Sequence, residues 1–511
     1  MTGLYPKTTL TLSAAGQIPS VKARMPLILA QGIATGSFTS GTLVTNISNN
    51  INAGNDLCGA GSMGALMINK FKALNPYIRL DAIIVDDNGA SVAATGSIAV
   101  TVTSPLVGTF NLNVGSKELN TYLIATTTAS TATTIGNDIE TAINADLNSP
   151  VTAVNVTGTI TFTAKNKGTC GNNMNIHLGS LPSGVTAVIT AFASGATDPV
   201  LTGVLDKIDK LRYDIITPVA FVSDIKTDLE AKFNVSNKIL DGVGFVTKTD
   251  TYANAQTALV PATLASKVIT YFNNKLVDDA DHRGGAFEEL DYVISTACAS
   301  LRSLRLIPDS LIGSFMTGNV TRGGTYTAGI PYHGMKLLGF SPMDAGKGFT
   351  DLEIDGLYDL GGSTFSNDDS GQYIVTNPFL LTSYKKATPT SEGFTFRNVN
   401  KTDCATYVRD FIFTNLKNKY SQAGLTNGDS PANSRAVYAT QAAIKADIYA
   451  WILEMGTGEF ALVQKSNELN EEVLNSIIVN INTSTGLVSG SFGFFVMGQA
   501  EQFNFNINIK I

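Results

Sequence analysis

The sequence predicts a multi-domain α/β (α+β) protein: a mixed-sheet core covered by helices, a β-rich domain inserted into it, and an extended strand-forming arm at each end. Three observations carry that expectation. Apolar, strand-sized runs alternate with amphipathic helical stretches on both sides of a long interruption. The interruption, 96–195, is rich in Thr, Ala, Val, Ser and Asn and nearly free of charge. The chain ends on Phe503-Asn504-Phe505-Asn506-Ile507-Asn508-Ile509-Lys510-Ile511, an unbroken alternation of apolar and polar residues that suits a half-buried strand.

Residues 1–23 form the predicted N-terminal arm. Its run Thr8-Thr9-Leu10-Thr11-Leu12 has strand character but no partner run at hairpin spacing, so it must pair elsewhere. The middle domain, 24–95 and 196–365, opens with a buried strand at 25–30. A helix is expected at 65–74, with Leu66, Met67, Ile68 and Phe71 apolar and Asn75-Pro76 as its stop. A strand at 79–85 then ends on Asp86-Asp87. Within the insertion, 98–102, 109–114 and 157–163 alternate as strands and 135–147 reads as a helix.

The α/β pattern resumes with an amphipathic helix at 200–211, carried by Leu201, Val204, Leu205, Ile208 and Leu211. A strand at 213–221, a helix at 223–233, a strand at 243–246, a helix at 287–305 and an extended stretch at 335–340 follow. The C-terminal core domain, 366–500, holds a strand at 372–375, an extended 379–384, helices at 402–420 and 434–455, and strands at 477–481 and 490–496. The C-terminal arm, 501–511, contains a strand from 502 with Phe503, Phe505, Ile507, Ile509 and Ile511 on its apolar side.

Composition bounds the function. At 511 residues the chain has room for about two to four domains. Charged residues make up 15%, against roughly 25% in ordinary soluble proteins. A neutral polar surface suits packing against copies of the same chain, although an ordinary domain with few charges has the same composition. The net charge of −7 and the absence of a Lys/Arg run argue against a nucleic-acid groove. No stretch approaches the roughly 18 apolar residues of a membrane span. The N-terminus lacks a charged region followed by an apolar one, so no secretory signal is read and the chain is expected to stay in the cytoplasm where it is made. Cys58, Cys170, Cys298 and Cys404 are scattered, without zinc or CxxC spacing, and read as free, mostly buried thiols.

The most enzyme-like feature is Gly59-Ala60-Gly61-Ser62-Met63-Gly64, a GxGxxG opening a helix, with Asp86 further on at a strand end. A dinucleotide site requires a strand running directly into the first glycine. Here Asn50, Asn52, Gly54, Asn55 and Asp56 precede it and read as loop or helix start, so the glycines serve a tight turn and a helix cap. His177, His282 and His333 do not pair at ligand spacing, and Asp278-Asp279-Ala280-Asp281-His282 lacks the Gly and distal Glu of a calcium loop. The run 366–371 has turn composition. No nucleophile elbow, phosphate loop or Cys/His pair is present. No catalytic residue, cofactor or metal is expected. The strand-forming ends remain, and the pattern alone leaves open whether they pair within the subunit or with a neighbour.

Four segments, in order, carry a resemblance. They are Gln17-Ile18-Pro19-Ser20-Val21-Lys22-Ala23-Arg24-Met25-Pro26-Leu27, then Cys58 with the glycine turn and on to Met67. Pro150-Val151-Thr152-Ala153 followed by Lys165-Asn166-Lys167-Gly168-Thr169-Cys170-Gly171-Asn172 is the third, and Gly195-Ala196-Thr197-Asp198-Pro199 leading to Tyr213-Asp214-Ile215-Ile216 the fourth. The chain resembles Mu-like contractile tail sheath proteins over about 17–220, whereas its second half departs from their commonest patterns. The resemblance implies a non-enzymatic virion protein that polymerises with itself as a helical tube around the tail tube, bounded by baseplate and tail terminator proteins. It implies assembly in the bacterial cytoplasm, and contraction that drives the tube through the host envelope for genome ejection. It further implies that Thr8, Leu10 and Leu12 in one arm, and Phe503, Phe505, Ile507, Ile509 and Ile511 in the other, add strands to neighbouring subunits. The insertion at 96–195 would face outward and be dispensable for contraction. A sheath of an R-type bacteriocin or secretion system, a nucleotide-binding α/β enzyme, and an adhesin-like β protein are the alternatives.

Overall fold

The computed structural model describes residues 25–201, 203–208, 211, 213–217, 242–259, 268–276, 284–304, 336–368, 370–372, 374–376, 399–426, 438–456, 463–464 and 466–495. It is a mixed α/β structure with several sheets, and the described residues fall into two compact units, 25–402 and 403–495.

In the first unit a six-stranded sheet is built from β1 (Pro26–Gln31), β2 (Thr42–Val44), β3 (Asp81–Val85), β11 (Ile215–Thr217), β12 (Val243–Asp250) and β13 (Val268–Asn274), in the order β13-β12-β11-β1-β3-β2. All neighbours are parallel except β2, which runs antiparallel to β3. The apolar runs of β1 and β3 have no polar face because both sides of the sheet are covered. Ile28, Ala30, Ala82, Ile84, Ile215 and Phe245 belong to the core shared with helices α2 (Met63–Leu74) and α5 (Asp291–Leu304). Leu27, Leu29, Ile83, Val85 and Ile216 pack on the other side with Leu201, Leu205 and Ile208. Ser62 caps α2 by accepting from the Ala65 N–H.

Several elements differ from the sequence expectation. The helix expected at 200–211 is only a short 3-10 turn, Val204–Ile208. Gly203 sits at φ +74°, and a turn from Leu211 N–H to the Ile208 carbonyl closes the other side, so the apolar spacing is met without a helix. The helix expected from 287 begins at Asp291, because the preceding backbone is bonded elsewhere: Phe287 N–H donates to Asn273 Oδ1 and the Glu288 carbonyl accepts from Lys117 N–H. Strand β13 and the short helix α4 (Tyr252–Leu259) went unread. The regions 8–12, 223–233, 278–282, 379–384 and 502–511, with His282 and His333, lie outside the described residues.

Between β3 and the 3-10 turn lie two antiparallel sheets. One is β10-β4-β8-β7, from β4 (Ala93–Val102), β7 (Val151–Val156), β8 (Thr159–Lys167) and β10 (Val185–Ala193). The other is β6-β5-β9, from β5 (Gly108–Gly115), β6 (Thr121–Thr126) and β9 (Asn175–Leu178). Helix α3 (Ala132–Ala145) buries Ile135, Ile139 and Ile143 against them. Thr157, expected within a strand, sits instead in the turn before β8, at φ +52°.

A buried polar seam ties this stretch to the central sheet. Asn175 Oδ1 accepts from Gly284 N–H at 2.7 Å and Gly285 N–H at 3.0 Å, while its Nδ2 donates to the Gly115 carbonyl. Ser116 Oγ donates to the fully buried Glu289, and Lys117 Nζ pairs with Glu288 at 3.1 Å. His177 Nδ1 lies 3.3 Å from the other Glu288 oxygen and supplies its donor when it carries a proton. Burial pushes the Glu288 carboxyl up, but the His177 and Lys117 contacts outweigh it and hold the group below the usual carboxylate range. Burial leaves Glu289 raised instead.

The first unit also contains helix α6 (Asp351–Asp359), opened by a Thr350–Glu353 capping box. A three-stranded sheet joins β14 (Lys336–Leu337), β16 (Ile374–Thr376) and β15 (Phe365–Asn367), in that order. Of the run 366–371, expected as a turn, Ser366 and Asn367 instead pair within β15, and the turn begins at Asp368, whose carbonyl accepts from Gly371 N–H. The stretch read as extended over 335–340 contributes only β14.

In the second unit, helices α7 (Val399–Tyr420) and α8 (Gln441–Met455) are followed by α9 (Asn467–Ser476). A short parallel pair, β17 (Gly424–Leu425) with β18 (Tyr438–Ala439), lies between α7 and α8. Helix α8 starts after Thr440, which caps it, and not at 434. An antiparallel hairpin, β19 (Ile478–Asn482) and β20 (Leu487–Ser491), replaces the strand expected at 490–496.

Asn175→Ala strands two buried N–H groups and one carbonyl, and is expected to destabilise the first unit by about 2–4 kcal/mol; denaturant unfolding measures it. Because the Glu288 carboxyl is depressed, its stabilising contribution is present above the ordinary carboxylate range and lost as pH falls through its lowered value. The stability gap between wild type and Glu288→Gln, measured by chemical denaturation across pH, is therefore expected to be widest near neutrality and to close in acid.

Candidate assembly site

The glycine turn is closed by the chain itself. Residues 53–58 form helix α1 (Ala53–Cys58), so a helix and not a strand leads into Gly59, which caps it at φ +86°. Gly61 lies at φ +74°, and a Cβ there would stand 2.1 Å from the Ser149 carbonyl oxygen. Lys165 Nζ donates to the Ala60 carbonyl, and Asn166 Oδ1 accepts from Met63 N–H at 2.7 Å, at the amino end of α2. A pyrophosphate would need that space and those donors. Asp86, the candidate ribose acid, is exposed, and its backbone N–H donates to Ser40.

The carboxyl ends of the parallel strands, where open α/β sheets bind ligands, are likewise filled. Gln31 Nε2 donates to Asp87 and to the Lys167 carbonyl. Asn166 Nδ2 reaches the Gly32 carbonyl, and Asp87 also accepts from Lys167 N–H. Asn173 donates to the Thr249 carbonyl at the end of β12. Sequence reasoning missed these occupants, since they lie more than 50 residues from their partners in the chain.

Cys58 and Cys298 are buried free thiols, and burial pushes Cys58 up to about 12, far from the range of a reactive thiolate. Among the described residues no group of three or more His, Cys, Asp and Glu side chains is placed to hold a metal ion. No described helix is long and apolar enough to cross a membrane.

The described structure does offer an open sheet edge in the second unit. Strand β7 ends its own sheet, yet its outer backbone is covered: Asn144 accepts from Ala153 N–H and donates to the Ala153 carbonyl, and Glu140 accepts from Asn155 N–H. This is a side-chain cover for an edge. Among the described residues strand β20 has none: it pairs with β19 alone, and all five of its residues are exposed. A two-stranded hairpin is marginal by itself. Beside it lies a cleft of about 760 Å³ lined by Phe413, Leu416, Ile444, Ile448, Leu487 and Val488, among others. Ile478, Leu487 and Phe413 are more than half exposed. The candidate arm residues Thr8, Leu10, Leu12, Phe503, Phe505, Ile507, Ile509 and Ile511 are outside the described residues, so the edge is seen without the arms.

With this geometry in hand, the chain can be set beside known proteins. No protein-family profile matches it. It is similar to the Mu-like prophage FluMu tail sheath protein of Haemophilus influenzae, with 29% identity over 248 residues, 47% of this chain and 50% of the relative. The match thus spans about half the relative's length. Among solved structures, a sheath tail protein of Listeria innocua aligns over 94% of this chain and 95% of its own, at 13% identity and a TM-score of 0.43. A sheath tail protein of Desulfitobacterium hafniense aligns over 93% and 97%, at 9% identity and a TM-score of 0.44. A chain of the anti-feeding prophage baseplate in its contracted state aligns over 99% of both, at 8% identity and a TM-score of 0.46. Superpositions this loose add nothing to the sequence likeness. The curated relative is a structural tail protein, not an enzyme.

Gly61→Ala is expected to cost about 2–4 kcal/mol through the left-handed backbone and the clash with Ser149, read as a lowered thermal midpoint. NAD or ATP added to the wild type is expected to leave that midpoint unmoved. A rise of several degrees with nucleotide would restore the dinucleotide reading.

Proposed function

We propose that this chain is a sheath subunit of a contractile tail, in a phage or a phage-like particle, polymerising with itself around an inner tube and contracting without catalysis. The open edge of β20 beside an apolar cleft is the observation that carries it. The likeness to a Mu-like tail sheath protein supports the same reading.

The alternating C-terminal segment fits that edge chemically. A strand from 502 to 511 places Phe503, Phe505, Ile507, Ile509 and Ile511 on one face, suited to an apolar cleft, and Asn504, Asn506 and Asn508 on the other. Its backbone would complete the ladder that β20 leaves open. In this reading the partner edge belongs to a neighbouring subunit, Thr8, Leu10 and Leu12 act likewise at the other end, and the tail tube, baseplate and terminator are the remaining partners. The stretch 96–195 is proposed as an outward-facing domain. Its polar seam qualifies the idea that it is dispensable, because a bare deletion leaves Glu288 and Glu289 buried without Lys117, His177 and Ser116.

The purified chain is expected to form hollow striated tubes or short rings in negative-stain micrographs. A chain ending at 501 is expected to stay folded by circular dichroism and to form none. Tubes from the truncated chain would remove the C-terminal segment from the linkage, and a monodisperse small species from the intact chain at high concentration would remove the sheath reading itself.

A further inference from the structure

We infer that Asp214 and Met25 form a clamp that passes tension from the N-terminal segment into the central sheet through β1. The inference rests on the reading of 1–23 as an arm held by a neighbour. Met25 is the residue just before β1, and β1 lies inside the sheet between β11 and β3 with every residue buried. The strand begins on Pro26, which has no N–H to give to the ladder. The neighbouring donor is used instead: Met25 N–H donates to Asp214 Oδ2 at 3.0 Å, and Asp214 N–H returns a bond to the Met25 carbonyl at 3.0 Å. The carbonyl of Asp214 accepts from Arg302 Nη1 at 2.5 Å, and the Arg302 side chain is buried. A carboxylate as acceptor makes the first of these bonds stronger than a ladder rung between neutral groups.

The direction of the strands gives the clamp its use. β1 and β3 run parallel, in register from Leu27 opposite Asp81 to Gln31 opposite Val85. A pull on Met25 loads β1 from its amino end, while the chain beyond β3 leaves from its carboxyl end toward β4. The two strands are then loaded from opposite ends, so the rungs share the force instead of opening one by one. At the far end of β1 the Gln31 side chain is tied to Asp87 and to the Lys167 carbonyl. The amino end of β1 is the other point at which fraying can start, and Asp214 holds it.

Single-molecule pulling on the full chain tests this, since forced rupture reports the unfolding rate along the direction of load. With handles at residue 1 and at the exposed Ala129, Asp214→Ala is expected to raise the unfolding rate at fixed force about tenfold, as loss of a hydrogen bond to a charged group would. With handles at Ala129 and the exposed Leu352, the rate is expected to change less than about twofold. Asp214→Asn keeps an acceptor oxygen and is expected to show a smaller rise, about threefold, with the same directional preference; it also serves if the Ala variant does not fold. Equal acceleration along both axes, or none along the first, overturns the clamp. Because the measurement is made on single chains, its outcome is independent of tube formation, which alone decides whether the arm links subunits.

Discussion

Coverage of both faces of the central parallel sheet is the constraint on which the rest of the first unit depends. Parallel strands need crossovers, and crossovers deposit helices or loops on the faces. Here α2 and α5 take one face, and the segment around Leu201–Ile208 takes the other. With the faces occupied, only the strand ends remain for attaching anything else. The antiparallel sheets of 93–193 are attached there, through side chains such as Gln31, Asn166 and Asn175, and they fill the crevice that a doubly wound enzyme would use for its ligand.

The second unit follows the opposite rule. Its hairpin is short, its outer strand is exposed, and an apolar cleft runs beside it. The contrast with β7 shows that the chain has the means to cover an edge: two side chains from α3 suffice there. Among the described residues the edge of β20 is left open, which makes it a place for another strand. Burying Ile478, Leu487 and Phe413 under such a strand would add roughly 25 cal/mol for each Å² removed from water, besides the new backbone bonds.

The legible parts of the fold were those decided by short-range chemistry. β1 and β3 are legible because burial on both faces makes them continuous apolar runs, and α2 because its apolar residues run up to the Asn75-Pro76 stop, whereas its start at Met63, behind the Ser62 cap, was read two residues late. The 200–211 stretch misleads because its apolar spacing serves one contact surface that a 3-10 turn with Gly203 satisfies as well as a helix. β13 carried its signal, Val268 to Phe272 being β-branched and aromatic with Asn273-Asn274 behind them, and it was overlooked all the same. The seam was not legible at all. Asn166 meets Gly32 across 134 residues, and nothing in the local pattern of an Asn tells a buried link from a solvated loop. The glycine turn was readable only in the negative, through the missing strand. Its occupants, Ser149, Lys165 and Asn166, emerge only from the fold. The candidate arms were legible as alternation, whereas the edge they suit, in the small-residue run Leu487–Ser491, was not.

The two units together imply a division of labour. Where polar groups are buried they are mostly paired across long sequence distances, so the first unit resists internal rearrangement: loosening any one link exposes a charge or a carbonyl to a low-dielectric interior. Such a body changes position more easily than it changes shape. If a large displacement is to be driven in a polymer of these chains, the energy must come from the surfaces between subunits, and the edge of β20 with its cleft, open among the described residues, is a candidate for one. Interfaces of that kind switch between discrete packings and do not deform gradually. In the proposed sheath, a link that survives the switch would be covalent with the rigid body on one side and hydrogen-bonded to the edge on the other, and a chain that leaves from β1, inside a parallel sheet, would meet the first of those requirements better than a loop leaving its rim.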